Sequence, residues 1–109
     1  MSQDTLKTLY QVVQARKETF EEGSYTCYLF EQGLDKILKK CGEECSEMII
    51  ASKNEDETEL VGEIGDLIYH MMVLMVEKNI ALETVLELLD KRSQKIGNLK
   101  QFHQVDRES

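Results

Sequence analysis

The sequence contains no proline and only six glycines in 109 residues. Proline breaks a helix and glycine weakens one, so their scarcity leaves few positions at which a helix has to end. Leucine, glutamate, lysine and methionine are frequent instead, and these straight side chains lose little rotamer freedom in a helix. The composition therefore predicts an all-α fold, and the length allows one domain with one modest core.

The sequence also lacks a long apolar segment and a basic, apolar beginning. Its most apolar stretch, residues 67–76, is interrupted by Tyr69 and His70 and is too short to span a bilayer. Residues 1–4 have neither the positive charge nor the apolar centre of a signal peptide. We therefore expect a cytoplasmic protein that has no membrane partner.

Cysteine is scarce as well, and its three occurrences do not predict a disulfide framework. Cys41 and Cys45 are four residues apart, which places them on one helical stripe with Leu38, Met48 and Ile49. This is the position of buried, reduced thiols, and the spacing is not a zinc-binding pattern.

Positive charge is in deficit, because 21 acidic residues outnumber 13 basic ones and give a formal net charge of −8. An acidic chain repels nucleic-acid backbones, so we expect no nucleic-acid partner. Divalent cations or basic partners suit this charge better. The simpler alternative is that the acidic surface only keeps the protein in solution.

Hydrophobic periodicity predicts four long helices and one short helical turn. The short turn is capped by Ser24 or Thr26. The third long helix is apolar on all sides over residues 71–76, which predicts burial on every side. The four long helices cover about residues 4–20, 34–53, 59–78 and 82–96.

The burial predicted for residues 71–76 is more than so small a chain can easily provide with its own helices. A second subunit supplies it more readily, so we expect a homodimer or a higher homo-oligomer. The expected fold is an all-α bundle of four to five helices per chain, completed by homodimerisation. Residues 1–97 form its single domain, and residues 98–109 form a polar C-terminal tail.

Four acids lie on the shoulders of the apolar stripes of two consecutive helices. Measured from the centre of the first stripe, Glu44 and Glu47 fall at about 280° and about 220°. On the next helix, Glu63 and Asp66 fall at about 300° and about 240°. A short polar turn joins the two helices, which favours antiparallel packing. In that packing the four carboxylates converge.

Carboxylates that meet at the edge of a core repel one another, and their removal from water is costly unless a cation compensates. Ligands that are all oxygen favour Mg²⁺, with Mn²⁺ also possible, over zinc. Because Mg²⁺ readily takes phosphate oxygens as further ligands, the sequence predicts a substrate with a polyphosphate. The alternative is that each pair of acids is an ordinary solvated helix face.

Three lysines and a histidine lie close to these acids in the sequence. Lys36 and Lys40 fall on the side of their helix that carries the two acids, so they and Lys39 can bind substrate phosphates. The alternative is that Lys40 only forms an i,i+4 pair with Glu44. His70 is a candidate for a substrate contact or for a donor behind the metal ligands, and a structural role is the common alternative.

Several segments together resemble the phosphoribosyl-ATP pyrophosphatase family, within the MazG-like all-α nucleotide pyrophosphohydrolase superfamily. The likeness covers residues 6–92. It implies hydrolysis of phosphoribosyl-ATP to phosphoribosyl-AMP and pyrophosphate, a step of histidine biosynthesis, in a homodimer whose helices form a bundle. The segments that carry the likeness are Ser24-Tyr25-Thr26, Leu29-Phe30, residues 33–37, residues 39–44, Glu47 and residues 63–70.

The resemblance also implies roles for individual residues. Glu43 matches the first acid of the motif although it points away from the apolar stripe, and it or Glu44 is expected to orient or deprotonate the attacking water. The metal ligands of the family are matched by Glu44, Glu47, Glu63 and Asp66. Segments near the substrate are matched by Tyr25, Thr26, Lys39 and Lys40.

Gly62 and Gly65 depart from the family pattern, because larger helix formers are expected there. Each costs roughly 1 kcal/mol of helix stability relative to alanine. Two alternatives remain open at this point. One is a MazG-type hydrolase of ordinary or damaged nucleoside triphosphates with the same metal site. The other is a non-enzymatic, acidic helical bundle that acts as an interaction module.

Overall fold

The computed structural model describes residues 2–95, and within them the chain forms five helices and no strand. The predicted all-α fold is confirmed. The short turn expected near Ser24 is a complete helix, and the predicted tail, residues 98–109, lies outside the described residues. The helices are α1 Ser2–Glu18, α2 Tyr25–Gln32, α3 Leu34–Lys53, α4 Glu57–Glu77 and α5 Leu82–Gln94.

Side-chain caps begin two of the helices. The Ser24 hydroxyl accepts a hydrogen bond from the backbone N–H of Cys27 at 3.1 Å, so Ser24 rather than Thr26 caps α2. Asp56 caps α4 by accepting from the backbone N–H of Glu59 at 3.2 Å. This cap lets α4 begin about two residues earlier than periodicity predicts.

Two tight connections depend on residues that tolerate a positive φ. Gly33 alone separates α2 from α3 and has a φ of 93°, which residues with a Cβ rarely adopt. After α4, Asn79 has a φ of 59°, and the backbone N–H of Ile80 donates to the Met75 carbonyl at 2.8 Å. Asparagine is the usual substitute for glycine at such a helix end. The chain then turns into α5.

The core lies between α1, α2, the first part of α3, the second half of α4 and the start of α5. At its α1 side, the Tyr10 hydroxyl donates to the Ile80 carbonyl at 2.7 Å, and Lys17 pairs with Glu77 at 2.7 Å. These contacts fasten α1 along the end of α4. The buried apolar side chains are Tyr10, Val13, Leu29, Ile37, Met72, Val73, Val76 and Leu82.

The antiparallel pair of α3 and α4 extends beyond this core, and we call residues 45–64 its distal part. The expectation of a buried stripe along α3 is wrong at Leu38 and Ile49, which are exposed. The same holds for Cys45, which is exposed, although the prediction of free thiols is confirmed. The buried face of α3 is turned toward Ile37, Glu44 and Ala51 instead.

The apolar stretch 71–76 is buried on most of its sides but not on all. Met72, Val73 and Val76 lie in the core, whereas Met71 remains 41% exposed. The prediction of burial on every side is therefore not met by the chain's own helices. Among the described residues, no helix has the length and apolar character needed to cross a bilayer.

Candidate metal centre and active site

Three of the predicted acids meet where α3 and α4 face each other. One carboxylate oxygen each from Glu44, Glu63 and Asp66 lies within 4.8 Å of the other two. Glu63 and Asp66 are one helical turn apart on α4, and Glu44 reaches them from α3 across the stripe. We call these three residues the acid group. Its dimensions suit a metal ion bound between the three carboxylates.

The fourth predicted acid, Glu47, lies one turn further along α3. It is within hydrogen-bonding reach of both Glu44 and Glu63, although it lies outside the acid group. Glu47 also lines an open cleft of about 270 Å³ together with Ile50, Glu59 and Glu63. The structure therefore brings all four acids to one patch, with a cleft directly beside it.

The acids perturb one another strongly. The pKa of Glu63 is raised from an ordinary 4.5 to about 7, first by its hydrogen bond with Glu47, then by burial and by nearby negative charges. The pKa of Glu44 is also raised, first by burial and then by the hydrogen bond and charge of Glu47. Near neutral pH the patch therefore retains a proton, which a divalent cation can replace.

The burial of individual oxygens tests whether this patch suits a cation. Glu44 is only 7% exposed, which is rare for a carboxylate. The Oε2 atoms of Glu44 and Glu63 are buried and have no hydrogen-bond partner among the described residues. A buried acceptor without a partner is costly, and a metal ion bound here would supply the missing interaction. The donors are all oxygen, so they fit Mg²⁺ or Mn²⁺.

The three lysines lie on α3 ahead of the acid group. The Lys40 ammonium lies 3.1 Å from Glu43 Oε1 and 4.0 Å from Glu44 Oε1. Its hydrogen bond raises the pKa of Lys40 and lowers the pKa of Glu43. Lys36 places its ammonium 5.9 Å from the centre of the Tyr28 ring, and Lys39 is exposed. Glu43 therefore pairs with Lys40 and does not join the acid group.

The remaining predicted residues connect the start of α2 to α4. Tyr25 Oη lies 3.1 Å from His70 Nε2, and the two rings meet edge to face. The Thr26 hydroxyl is hydrogen-bonded to the Tyr69 hydroxyl. Both contacts are made to α4 within about one turn of Asp66, so the start of α2 lies next to the acid group.

Comparison with known proteins shows which family has this arrangement. Residues 6–93 match the sequence profile of the family described as phosphoribosyl-ATP pyrophosphohydrolase. The chain belongs to this family. The match spans α2, α3 and α4, and therefore every residue of the acid group.

Named relatives agree with the family assignment. A phosphoribosyl-ATP pyrophosphatase of Clostridium botulinum (strain Kyoto / Type A2) is 59% identical over 97 residues, which cover 89% of this chain and 88% of the relative. One from Listeria welshimeri is 52% identical over 101 residues, covering 93% and 97%. The histidine biosynthesis bifunctional protein HisIE of Caldanaerobacter subterraneus is 54% identical over 92 residues, 84% of this chain and 45% of that protein.

Two larger clefts of about 340 Å³ each lie elsewhere, against α1. Both include Lys17, which is already paired with Glu77, and neither contains a member of the acid group. Because the chemistry of this family needs charged ligands at a phosphate, the smaller cleft beside the acids is the better candidate for its active site.

Tyr69 is one residue that the sequence did not single out as part of the site. It bonds to Thr26, and burial is the main cause that raises the pKa of its hydroxyl. The sequence feature that could have identified Tyr69 is its position inside an apolar helical run, because a buried tyrosine hydroxyl needs a hydrogen-bond partner. The identity of that partner, 43 residues away, depends on the tertiary fold.

Proposed function

We propose that the protein hydrolyses phosphoribosyl-ATP to phosphoribosyl-AMP and pyrophosphate, a step of histidine biosynthesis, with Mg²⁺ as cofactor. The observation that carries this proposal is the family match over residues 6–93 together with the acid group inside the matched region. A substrate with a triphosphate brings several negative charges. The acids alone would repel this substrate. The triphosphate can therefore bind beside the acids only when a cation lies between the phosphates and the carboxylates.

Glu44, Glu47, Glu63 and Asp66 are the residues that would hold Mg²⁺. When bound, Mg²⁺ neutralises phosphate oxygens and stabilises the departing pyrophosphate. Water attacks a phosphorus atom of the anhydride between the α- and β-phosphates, and the anhydride bond breaks to give phosphoribosyl-AMP and pyrophosphate. A carboxylate orients the water and accepts its proton. Glu44 suits this role better than Glu43, because burial raises the pKa of Glu44 whereas Lys40 lowers the pKa of Glu43.

Basic and hydroxyl groups around the acids complete the proposed site. The lysines are one turn or more from the acid group on α3, where their charge can offset that of the substrate phosphates. Tyr25 and Thr26 at the start of α2 contact α4 next to the turn that carries Asp66. The proposed substrate-binding residues are Tyr25, Thr26, Lys36, Lys39, Lys40 and His70.

The direct test is pyrophosphate release from phosphoribosyl-ATP with and without Mg²⁺. We expect Glu47→Gln and Asp66→Asn to lower Mg²⁺-dependent turnover by about a hundredfold or more, because each removes a charge from the metal site. Glu87→Gln, which neutralises an exposed acid on α5, is the matched control and should retain full activity. Full activity in both site variants would show that the metal assignment is wrong.

The same assay separates the alternatives. Turnover of common nucleoside triphosphates at rates similar to phosphoribosyl-ATP would indicate a general nucleotide hydrolase with this metal site. If no nucleotide is hydrolysed and Mg²⁺ does not change the melting temperature, the chain is a non-catalytic helical bundle. The proposal expects strong preference for phosphoribosyl-ATP and a higher melting temperature in Mg²⁺.

We further propose that residues 1–97 form one domain that works as a homodimer or a higher homo-oligomer. The distal part of the α3–α4 pair exposes apolar side chains that a second copy can cover. The high net negative charge argues against a nucleic-acid partner, and three free thiols suit the reducing cytoplasm. The most exposed of these apolar side chains are Ile49, Ile50 and Val61.

A further inference from the structure

Two exposed tyrosines lie on one face of α2, next to the acid group. The rings of Tyr25 and Tyr28 stack with their centres 6.1 Å apart, and the residues are 43% and 41% exposed. Tyr25 Oη lies 3.1 Å from Nε2 of His70, which follows Asp66 by one turn of α4. The ring pair therefore begins beside the acid group and continues along α2, and it leaves aromatic surface open to a ligand.

Lys36 lies next to the second ring of this pair. Its ammonium is 5.9 Å from the centre of the Tyr28 ring, which is within the range of a cation–π contact. No carboxylate of the described residues lies within ion-pairing distance of Lys36, whereas Lys40 pairs with Glu43 at 3.1 Å. Lys36 therefore carries a positive charge that no acid pairs with, beside an exposed aromatic ring.

The position of Lys36 along α3 separates it from the acid group. Lys36 precedes Glu44 by eight residues, which is about 12 Å along the helix axis. Lys40 lies midway between them in the sequence, with its ammonium 4.0 Å from Glu44 Oε1. Neighbouring phosphates of one triphosphate are much closer together than this. Lys36 is therefore better placed for a phosphate at the far end of a nucleotide than for the next phosphate of the cleaved chain.

Phosphoribosyl-ATP contains the groups that such a separated pair of sites would bind. It has a triphosphate and, beyond the purine, a second phosphate on its phosphoribosyl group. A purine stacks on aromatic side chains, and a phosphate needs a cation where acids lie nearby. ATP lacks the second phosphate, so a cation that binds this phosphate would distinguish phosphoribosyl-ATP from ATP.

We propose that Lys36 and Tyr28 form a subsite for the phosphoribosyl end of the substrate: the Lys36 ammonium binds the phosphoribosyl phosphate, and the Tyr28 ring supports the purine. This inference rests on the proposed function. It adds Tyr28 to the substrate-binding residues and assigns Lys36 to a phosphate that is not cleaved. Neither residue belongs to the distal part that a second copy is proposed to cover. The subsite determines specificity and does not touch the reacting atoms.

Binding of the two reaction products tests this assignment without turnover, because each product carries one end of the substrate. Phosphoribosyl-AMP keeps the phosphoribosyl phosphate, and pyrophosphate comes from the cleaved chain. In calorimetric titrations with Mg²⁺, Lys36→Gln should raise the Kd of phosphoribosyl-AMP about tenfold, because it removes a charge-assisted hydrogen bond. The Kd of pyrophosphate should stay the same.

The control and the contrary results of this titration are equally specific. Lys7→Gln removes an exposed lysine from α1 and should leave both Kd values unchanged. If Lys36→Gln raises the Kd of pyrophosphate as much as that of phosphoribosyl-AMP, Lys36 binds the triphosphate and the proposal is wrong. An unchanged Kd of phosphoribosyl-AMP would also overturn it.

Titration with AMP separates the contribution of the ring from that of the ammonium. AMP has the purine but no phosphoribosyl phosphate, so Lys36→Gln should not change its Kd. Tyr28→Leu should raise the Kd of AMP and of phosphoribosyl-AMP by a similar factor, about fivefold to tenfold, because both contain the purine. Tyr28→Phe keeps the ring and should restore binding. A Tyr28→Phe variant as weak as Tyr28→Leu would contradict stacking. Phe20→Leu, which removes another exposed ring, is the matched control.

Kinetics test the role of the subsite in the reaction. Lys36→Gln should raise KM for phosphoribosyl-ATP about tenfold and change kcat by less than about twofold, because the contact is the same in the ground state and the transition state. Lys36→Arg keeps the charge and should retain most of the affinity. A fall in kcat at unchanged KM would instead place Lys36 at the reacting phosphates.

The two proposals fail separately in these experiments. An unaltered protein without phosphoribosyl-ATP turnover refutes the proposed function, while the titrations with phosphoribosyl-AMP and AMP still report on the subsite. An active protein whose Lys36→Gln and Lys7→Gln variants have the same KM and the same Kd for phosphoribosyl-AMP refutes only the subsite.

Discussion

Glu63 shows at the scale of one residue how a cation site affects stability. The pKa of the Glu63 carboxyl is about 7 in the folded protein, against an ordinary value of 4.5 for the unfolded chain. The folded state therefore binds this proton more tightly than the unfolded chain does. The stability contributed by this proton is fully present below about pH 4.5 and is lost as the pH rises through about 7. We therefore predict that the metal-free protein loses melting temperature over this interval.

Mg²⁺ should have the opposite pH dependence, because it replaces the proton that the acids otherwise share. The rise in melting temperature caused by Mg²⁺ should be larger at about pH 8 than at about pH 5. Glu63→Gln should flatten the metal-free pH profile across this interval and reduce the effect of Mg²⁺. An unchanged profile in that variant would assign the pH dependence to other groups.

The acid group was predictable from the sequence because position around a helix depends only on residue spacing. The angles of Glu44, Glu63 and Asp66 relative to the apolar stripe placed them on facing shoulders, and the structure brings them together. The bond between Tyr25 and His70 joins residues 45 positions apart. No local spacing indicates such a contact, because it depends on how α2 is turned against α4.

At the scale of the element, α4 contains two glycines where stronger helix formers fit. A Cβ added at Gly62 meets nothing within 4 Å, so the backbone there does not need glycine for space. We predict that Gly62→Ala increases the free energy of unfolding by about 1 kcal/mol. Urea denaturation measures this change. A decrease instead would indicate that another copy of the chain packs closely against this face of α4.

The helices themselves were predicted well because periodicity reports directly on a continuous apolar face. Their ends were predicted less well, since a cap depends on one side chain and its rotamer. Asp56 shows this: its carboxylate accepts from Glu59 N–H and starts α4 earlier than the apolar pattern does. Gly33 likewise allows α3 to follow α2 directly, so a segment predicted as a turn is a full helix.

At the scale of the whole molecule, the exposed apolar surface of the distal part predicts self-association. Val61 is 61% exposed on α4, and Val12 is 45% exposed on α1. We expect Val61→Glu to shift a homodimer to monomer in sedimentation equilibrium, because a buried charge in an interface has no partner. Val12→Glu, an equal change away from the distal part, should leave the mass unchanged. Dimers in both variants would place the interface elsewhere.

The burial of α3 was predicted only in part. The apolar stripe of α3 was expected to be inside along its whole length, yet Leu38 and Ile49 are exposed. A sequence pattern identifies an apolar face but not the element that covers it. Here the buried face of α3 contains Ile37, Glu44 and Ala51, so Leu38 and Ile49 lie on the flank beside it.

The extension of α3 and α4 past the core has a consequence for amide hydrogen exchange. Residues 72–76 are held by the chain's own core, so their protection should depend little on protein concentration or Mg²⁺. In the proposed metal-bound homodimer, residues 45–64 would gain contacts with a cation and with a second copy. Their exchange should therefore slow when either is added, and the enzyme's catalytic end would owe its rigidity to the ligands that it assembles.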